Sequence, residues 1–179
     1  MSSLEPEREG AEPAAPEPQE AGELVPAAGE PPVPAPETVF EELPVDAPLV
    51  GIVMAAKSDL PTMEQAEREL SERGIRSEVR VMSAHHDPNV VTDYARNARM
   101  RGLRVIIAGA GLGAALPGVI AAHTELPVIG VPLSAGSSIG GGLDALLAIA
   151  QMPAGVPVAT VGVDAARNAA VLAARILRV

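Results

Sequence analysis

The sequence contains no cysteine and no tryptophan. Without thiols there is no disulfide, no thiolate nucleophile and no cysteine-ligated metal. Phe40 and Tyr94 are its only aromatic side chains, so the core has to be built from valine, isoleucine, leucine and alanine. Alanine-rich helices can approach a sheet closely, which suits a layered α/β domain. No stretch reaches the roughly 18 uninterrupted apolar residues of a membrane span. The N-terminus has no basic segment followed by an apolar one, the mark of a secretory signal. These absences lead to the expectation of a cytoplasmic protein that does not meet the membrane.

Positive charge is scarce only in one region. The formal net charge is −10, yet residues 1–46 hold twelve acidic residues against the single Arg8, and residues 47–179 hold eleven acidic against twelve basic. The rest of the chain is therefore close to neutral and carries no basic stripe for nucleic acid. Residues 1–46 are rich in Pro, Glu and Ala and lack apolar periodicity. Such a segment cannot bury enough surface to offset the entropy of ordering it, so it is expected to be a disordered acidic tail. It reads either as a docking or spacer segment or as a solubilising extension. Val39, Phe40 and Leu43 near its end are candidates to pack on the domain edge.

From Pro48 onward, short apolar runs alternate with helical periodicity. Strands are expected at 49–54, 77–82, 105–108, 128–131 and 158–162. Helices are expected at 60–73, 87–101, 115–123, 143–152 and 164–177. Leu60, Met63, Ala66 and Leu70 form the inner face of the first helix, and Val90, Val91, Tyr94 and Ala98 that of the second. Asp87-Pro88 offers an N-cap and a proline at the first helical position, and Asp164 is expected to cap the last helix. Five β-α units in succession imply a parallel sheet covered on both faces. The expected fold is α/β, three-layer and flavodoxin-like, with strand order 2-1-3-4-5. Ligands in such sheets bind beyond the carboxyl ends of the strands, where the order switches between strands one and three. The chemistry is then expected in the loops after strands one, two and three.

Loop one, Ala55-Ala56-Lys57-Ser58-Asp59, leads into a helix N-terminus, which favours an anion. Ser58 is a candidate for phosphate or a sugar hydroxyl, and Asp59 also reads as an ordinary N-cap. Loop two, Ser83-Ala84-His85-His86-Asp87-Pro88, holds two of the three histidines of the chain. Adjacent residues seldom point to one spot, so a two-histidine metal site is not expected. A histidine suits proton transfer near neutral pH, and the same pair also reads as plain surface residues. Loop three runs from Gly109 to Gly118, and its glycines let a ligand approach the backbone. Its spacing and its place after the third strand do not match a dinucleotide fingerprint. Loop four, Ser134 to Gly142, reads as a lid or as a linker. His123 falls at the end of the third helix and reads as a C-terminal residue of that helix.

Taken in order, GIVMAAKSDLPTM, VRVMSAHHDP, VIIAGAG, LPGVIAA, LPVIGVP and LAIAQMPAGVPVATV resemble the class I PurE family over residues 49–178. QMPAGVPVATV and the SAH-x-x-P element of loop two carry most of the likeness. The resemblance implies a carboxylate transfer in purine biosynthesis, from the exocyclic amine of 5-(carboxyamino)imidazole ribonucleotide to ring carbon 4. It also implies octamers with sites at subunit interfaces, and no metal or organic cofactor. By position, His85 would be the proton-transfer residue. Ser58 and Asp59 would hold phosphate and ribose. Ser83 and Ala84 would line the base pocket, with His86 beside them. Gly109, Ala110 and Gly111 would face the reacting carboxylate.

The likeness has gaps. Ala55-Ala56 stands where the family usually has Gly-Ser, and His86 where it has Arg. Ala115 stands where the family has a second His, and loop four is longer by about two residues. A lost charged hydrogen bond costs on the order of 1–3 kcal/mol, or about ten- to a hundredfold in affinity. Two other readings follow from these gaps. One is a non-catalytic or retasked PurE paralogue. The other is a relative of the pyridinium biscarboxylate synthases, whose glycine-rich stretch loop four resembles.

Overall fold

The computed structural model describes residues 46–178. The expected disordered tail, with Val39, Phe40 and Leu43, lies outside them apart from Asp46. Strands β1 (Val50–Met54), β2 (Ser77–Val81), β3 (Val105–Gly111), β4 (Val128–Leu133) and β5 (Ala159–Thr160) alternate with helices α1 (Leu60–Glu72), α2 (Pro88–Asn97), α3 (Ala115–Ala122), α4 (Leu143–Ala150) and α5 (Ala166–Leu177). The strands form one sheet in the order β2-β1-β3-β4-β5, and every pairing is parallel. This is the expected flavodoxin-like arrangement. No helix among the described residues is long and apolar enough to cross a membrane.

Side-chain alternation along the strands sorts the core into two layers. Val50, Ile52, Met54, Val105, Ile107, Ile129 and Val131 face α1 and α5. Val53, Ile106, Ala108, Ala110 and Val128 face α2, α3 and α4. The central strands are buried on both faces, which explains their unbroken apolar runs. The inner face of α5 consists of Ala166, Ala169, Ala170, Ala173 and Ala174, all fully buried. Methyl side chains let this helix lie close to its neighbours.

Two ionic clusters fasten the helices. Glu69 of α1 is buried and accepts from Arg167 of α5 at 2.6 Å and from Arg73 at 2.8 and 2.6 Å. Arg167 first, and Arg73 second, hold its carboxyl below the usual carboxylate range. On the opposite layer the Tyr94 hydroxyl donates to Glu78 at 2.9 Å, and Arg101 pairs with the same carboxylate. Burial, then the Glu78 charge, pushes the Tyr94 phenol above its ordinary range.

Several expected boundaries move. β3 runs on through Gly109, Ala110 and Gly111, which pair with Val131, Pro132 and Leu133 of β4. A glycine-rich stretch expected to be loop is therefore strand. The reason at Gly109 is close packing, because a Cβ there would lie 2.5 Å from the Met63 sulfur. Residues 98–102 unwind into turns that end with Gly102 at φ 94° and the Leu103 amide on the Ala98 carbonyl. Val90 is exposed and off the inner stripe, which is Val91, Tyr94, Ala95 and Ala98. β5 has two residues rather than five, although the Val161 amide still reaches the Gly130 carbonyl at 3.1 Å. Asp164 does not cap α5. Its backbone sits at φ 55°, and its carboxylate accepts instead from the amide and hydroxyl of Ser134.

Close layering gives a direct test. A Cβ on Gly130 would lie 2.3 Å from Ile149 Cγ2 and 2.9 Å from Val158 Cγ1. Gly130→Ala is expected to destabilise the domain by about 1–3 kcal/mol through overpacking. Urea denaturation should show a lower midpoint with an unchanged slope; an unchanged midpoint would contradict this packing.

Candidate active site

The register brings three loops to one level. Met54 ends β1 opposite Val81 of β2 and Gly109 of β3. The Met82 amide then bonds to the Met54 carbonyl at 2.9 Å, and the Ala55 amide to the Gly109 carbonyl at 3.3 Å. Loops one, two and three therefore leave the sheet side by side.

Loop one passes through extended Ala56 into a single 3₁₀ turn, Lys57–Asp59, that leads directly into α1. The Asp59 carboxylate turns back on its own loop. It accepts the Ala56 amide at 3.1 Å and lies 3.5 Å from the Ser58 hydroxyl. Asp59 occupies the N-cap position of α1 but makes no side-chain capping bond to that helix. Partial burial raises its carboxyl above the ordinary value, with the Ala56 amide and Ser58 hydroxyl opposing that rise.

Loop two is a compact turn held by Ser83. The Ser83 carbonyl accepts the Asp87 amide at 2.9 Å, and its hydroxyl lies 3.4 Å from the His86 amide and 3.0 Å from His86 Nδ1. The two histidines therefore diverge. His86 folds back on Ser83, while His85 borders a hollow of about 30 Å³. Ala55, Ser83, Ala84, Ala110, Gly111, Ala114, Ala115 and Leu116 complete its lining. Among the described residues, no three side chains able to ligate a metal come together.

Of the expected site residues, His85, Ser83, Ala84, Ala110 and Gly111 meet in this hollow. Ser58, Asp59, His86 and Gly109 do not line it. Gly109 sits one residue deeper in β3, under Met63. Leu112 and Ala114, which are not among the expected site residues, hold left-handed backbone at φ 54° and 37° on either side of Gly113. Such conformations cost on the order of 1–3 kcal/mol each for residues other than glycine. They turn the chain sharply from β3 into α3 and keep Gly113 beside His85, whose Cε1 lies 3.8 Å from where a Gly113 Cβ would be. The glycines at 111 and 113 were the available signal for a tight turn. The first turn of α3 borders the hollow, so its unpaired amides and the helix dipole favour a negative group there.

Larger clefts lie elsewhere. One of about 510 Å³ is bordered by Arg96, Arg99 and His123. His123 closes α3, ahead of β4, so this cleft is at the amino end of that strand. Ligands in a sheet of this kind bind at the opposite end, and there the chain gathers its strained turn, its histidine and its close-packed glycines.

Comparison with known proteins gives the family. A family model described as AIR carboxylase matches residues 49–179. The chain is 55% identical over 132 residues to the N5-carboxyaminoimidazole ribonucleotide mutase of Pyrococcus horikoshii, covering 74% of this chain and 73% of that one. It is likewise 55% identical over 132 residues to the enzyme of the same name from Mycobacterium tuberculosis, at 74% and 75% coverage. A phosphoribosylaminoimidazole carboxylase of Schizosaccharomyces pombe is 53% identical over 134 residues, 75% of this chain but 24% of that longer protein. Among solved structures, Treponema denticola PurE superposes with a TM-score of 0.65 at 32% identity, covering 73% of this chain and 80% of that one.

Proposed function

The chain belongs to the AIR carboxylase family, and from that premise we propose that His85 shuttles the proton in a carboxylate transfer on aminoimidazole ribonucleotide. The reaction is the mutase step of purine biosynthesis for which the relatives are named. The observation that carries the role of His85 is its solitude: it is the one ionisable residue among those that line the hollow.

The proton balance of the reaction asks for one such group. Loss of carbon dioxide from the carbamate nitrogen leaves an amine that must gain a proton. Capture of that carbon dioxide by ring carbon 4 leaves a carbon that must lose one. A side chain that gives the first proton and takes the second closes the cycle with no net change. Around it, Ala55, Ala84, Ala110 and Ala114 offer methyl groups, which exclude water and retain the carbon dioxide between the two steps. Ser83 and Ala84 border the base, Ala110 and Gly111 leave room for the carboxylate, and Ser58 and Asp59 take the ribose phosphate from loop one. His86, turned onto Ser83, shapes loop two.

A hollow of about 30 Å³ has room for roughly one water molecule. A single subunit thus does not enclose a ribonucleotide, which supports a site completed by a neighbouring subunit. Exposed Ile139, Leu143 and Leu147, spaced four residues apart, supply apolar surface for such an assembly. The proposal includes a homo-octamer working in the cytoplasm, with residues 1–46 as an acidic tail.

His85→Asn is expected to lower the interconversion of the two carboxylated ribonucleotides by about 10²–10⁴-fold while leaving the fold intact by circular dichroism. Turnover within tenfold of the unsubstituted protein would remove His85 from the chemistry. Light scattering should report an octamer, and a monomer that still turns over would contradict assembly of the site between subunits.

A further inference from the structure

The relatives' substrates are ribonucleotides and so carry a phosphate, and the residues that line the hollow offer it no permanent charge. The supply of cations at this end of the sheet is small. Loops 55–59, 82–87, 112–114, 134–142 and 161–165 contain no arginine, and they contain Lys57, the only lysine in the chain. The neighbouring arginines are committed elsewhere. Arg80 of β2 lies 3.3 Å from the Glu78 carboxylate, and Arg167 in the first turn of α5 lies 2.6 Å from Glu69. Arg96, Arg99, Arg101, Arg104, Arg175 and Arg178 follow the late turns of α2 and α5 toward the amino ends of the strands.

Lys57 differs from Arg80 and Arg167 in that, among the described residues, no carboxylate lies within ion-pair distance of it, and from the other arginines in its place just beyond the carboxyl end of β1. It is exposed. The nearest acid in sequence, Asp59, is engaged by the Ala56 amide and the Ser58 hydroxyl. Lys57 also sits two residues beyond Ala55, which lines the hollow, in the 3₁₀ turn that follows β1, and the backbone just before that turn bonds to Met82 and Gly109. A flexible four-carbon stem lets an ammonium sweep the mouth from that point.

We propose that Lys57 binds the substrate phosphate, and that this ammonium is the permanent positive charge that these loops bring to the site. The inference rests on the ribonucleotide reading given above and adds to it the residue that selects the phosphorylated form. Histidine at 86 does not compete for the role, because its ring is turned onto Ser83. A phosphate and an ammonium pair as point charges with little demand on direction, so the interaction tolerates a residue on a short exposed turn.

Calorimetry on the full chain separates this from a structural effect. The ligands are 5-aminoimidazole ribonucleotide and the corresponding riboside without phosphate. Lys57→Met should weaken the ribonucleotide by about ten- to a hundredfold, the value of one charge-assisted hydrogen bond. The riboside should change by less than about twofold, and Lys57→Arg should restore most of the loss. Equal affinity of Lys57→Met and the unsubstituted protein for the ribonucleotide would overturn the proposal. So would an equal loss for both ligands, or a protein with no affinity for the ribonucleotide at all. Turnover is read separately. Lys57-dependent binding without turnover would keep the phosphate assignment and sink the reaction.

Discussion

Met54 is paired on both sides, with Val81 of β2 and Gly109 of β3, and the remaining geometry of the site follows from that double pairing. A parallel ladder fixes where each strand ends relative to its neighbours. Because β1 and β2 end together and β3 runs only two residues further, three loops converge without any contact having to pull them inward. A slip of one residue would exchange the faces of β1. Ile52 and Met54, now against α1 and α5, would then point to the layer of α2, and Val53 would take their place. Burial of both faces makes that exchange costly, so the apolar pattern of the central strands holds the loops in position.

Small residues set the shape of what lies at the mouth. Ala55, Ala84, Ala110, Gly111, Ala114 and Ala115 leave a hollow made largely of methyl groups and backbone. The same preference brings Met63 over Gly109 and Ile149 against Gly130. In such surroundings a few polar side chains decide the chemistry, since each is worth more where little else competes. Ser83 orders loop two, His85 faces the hollow, and the first amides of α3 add a partial positive field. The left-handed turn at Leu112 and Ala114 brings the first turn of α3 that close. Asp164, likewise left-handed, anchors the start of loop four at Ser134 and leaves that loop outside the hollow.

Much of the fold could be read from the chain because the signals are local and repeated. Apolar runs alternating with helical stripes give the element order, and right-handed crossovers then give the sheet. The site was legible as a set of loops. Which of their residues meet was not, since that depends on register and on side-chain direction. His85 and His86 are neighbours in sequence with identical side chains, and the hydrogen bonding of His86 with the Ser83 hydroxyl separates their roles. Gly109 and Gly111 read as loop because glycine usually marks flexibility; here Gly109 marks close packing beneath Met63. Asp164 read as a cap because of its place before α5, but a long-range bond to Ser134 uses its carboxylate instead. β5 read as five residues, but only Ala159 and Thr160 pair with β4.

The chain has three histidines, and they occupy three different situations: one at the hollow, one folded onto Ser83, and one at the opposite end of the sheet. Proton NMR of their Cε1–H resonances, assigned by single substitutions, can therefore report where a ligand sits. Titration of the full chain with aminoimidazole ribonucleotide should shift the His85 resonance and leave that of His123 in place. A shift of His123 with His85 unmoved would put the ligand at the amino ends of the strands and contradict a site built on the β2-β1-β3 register.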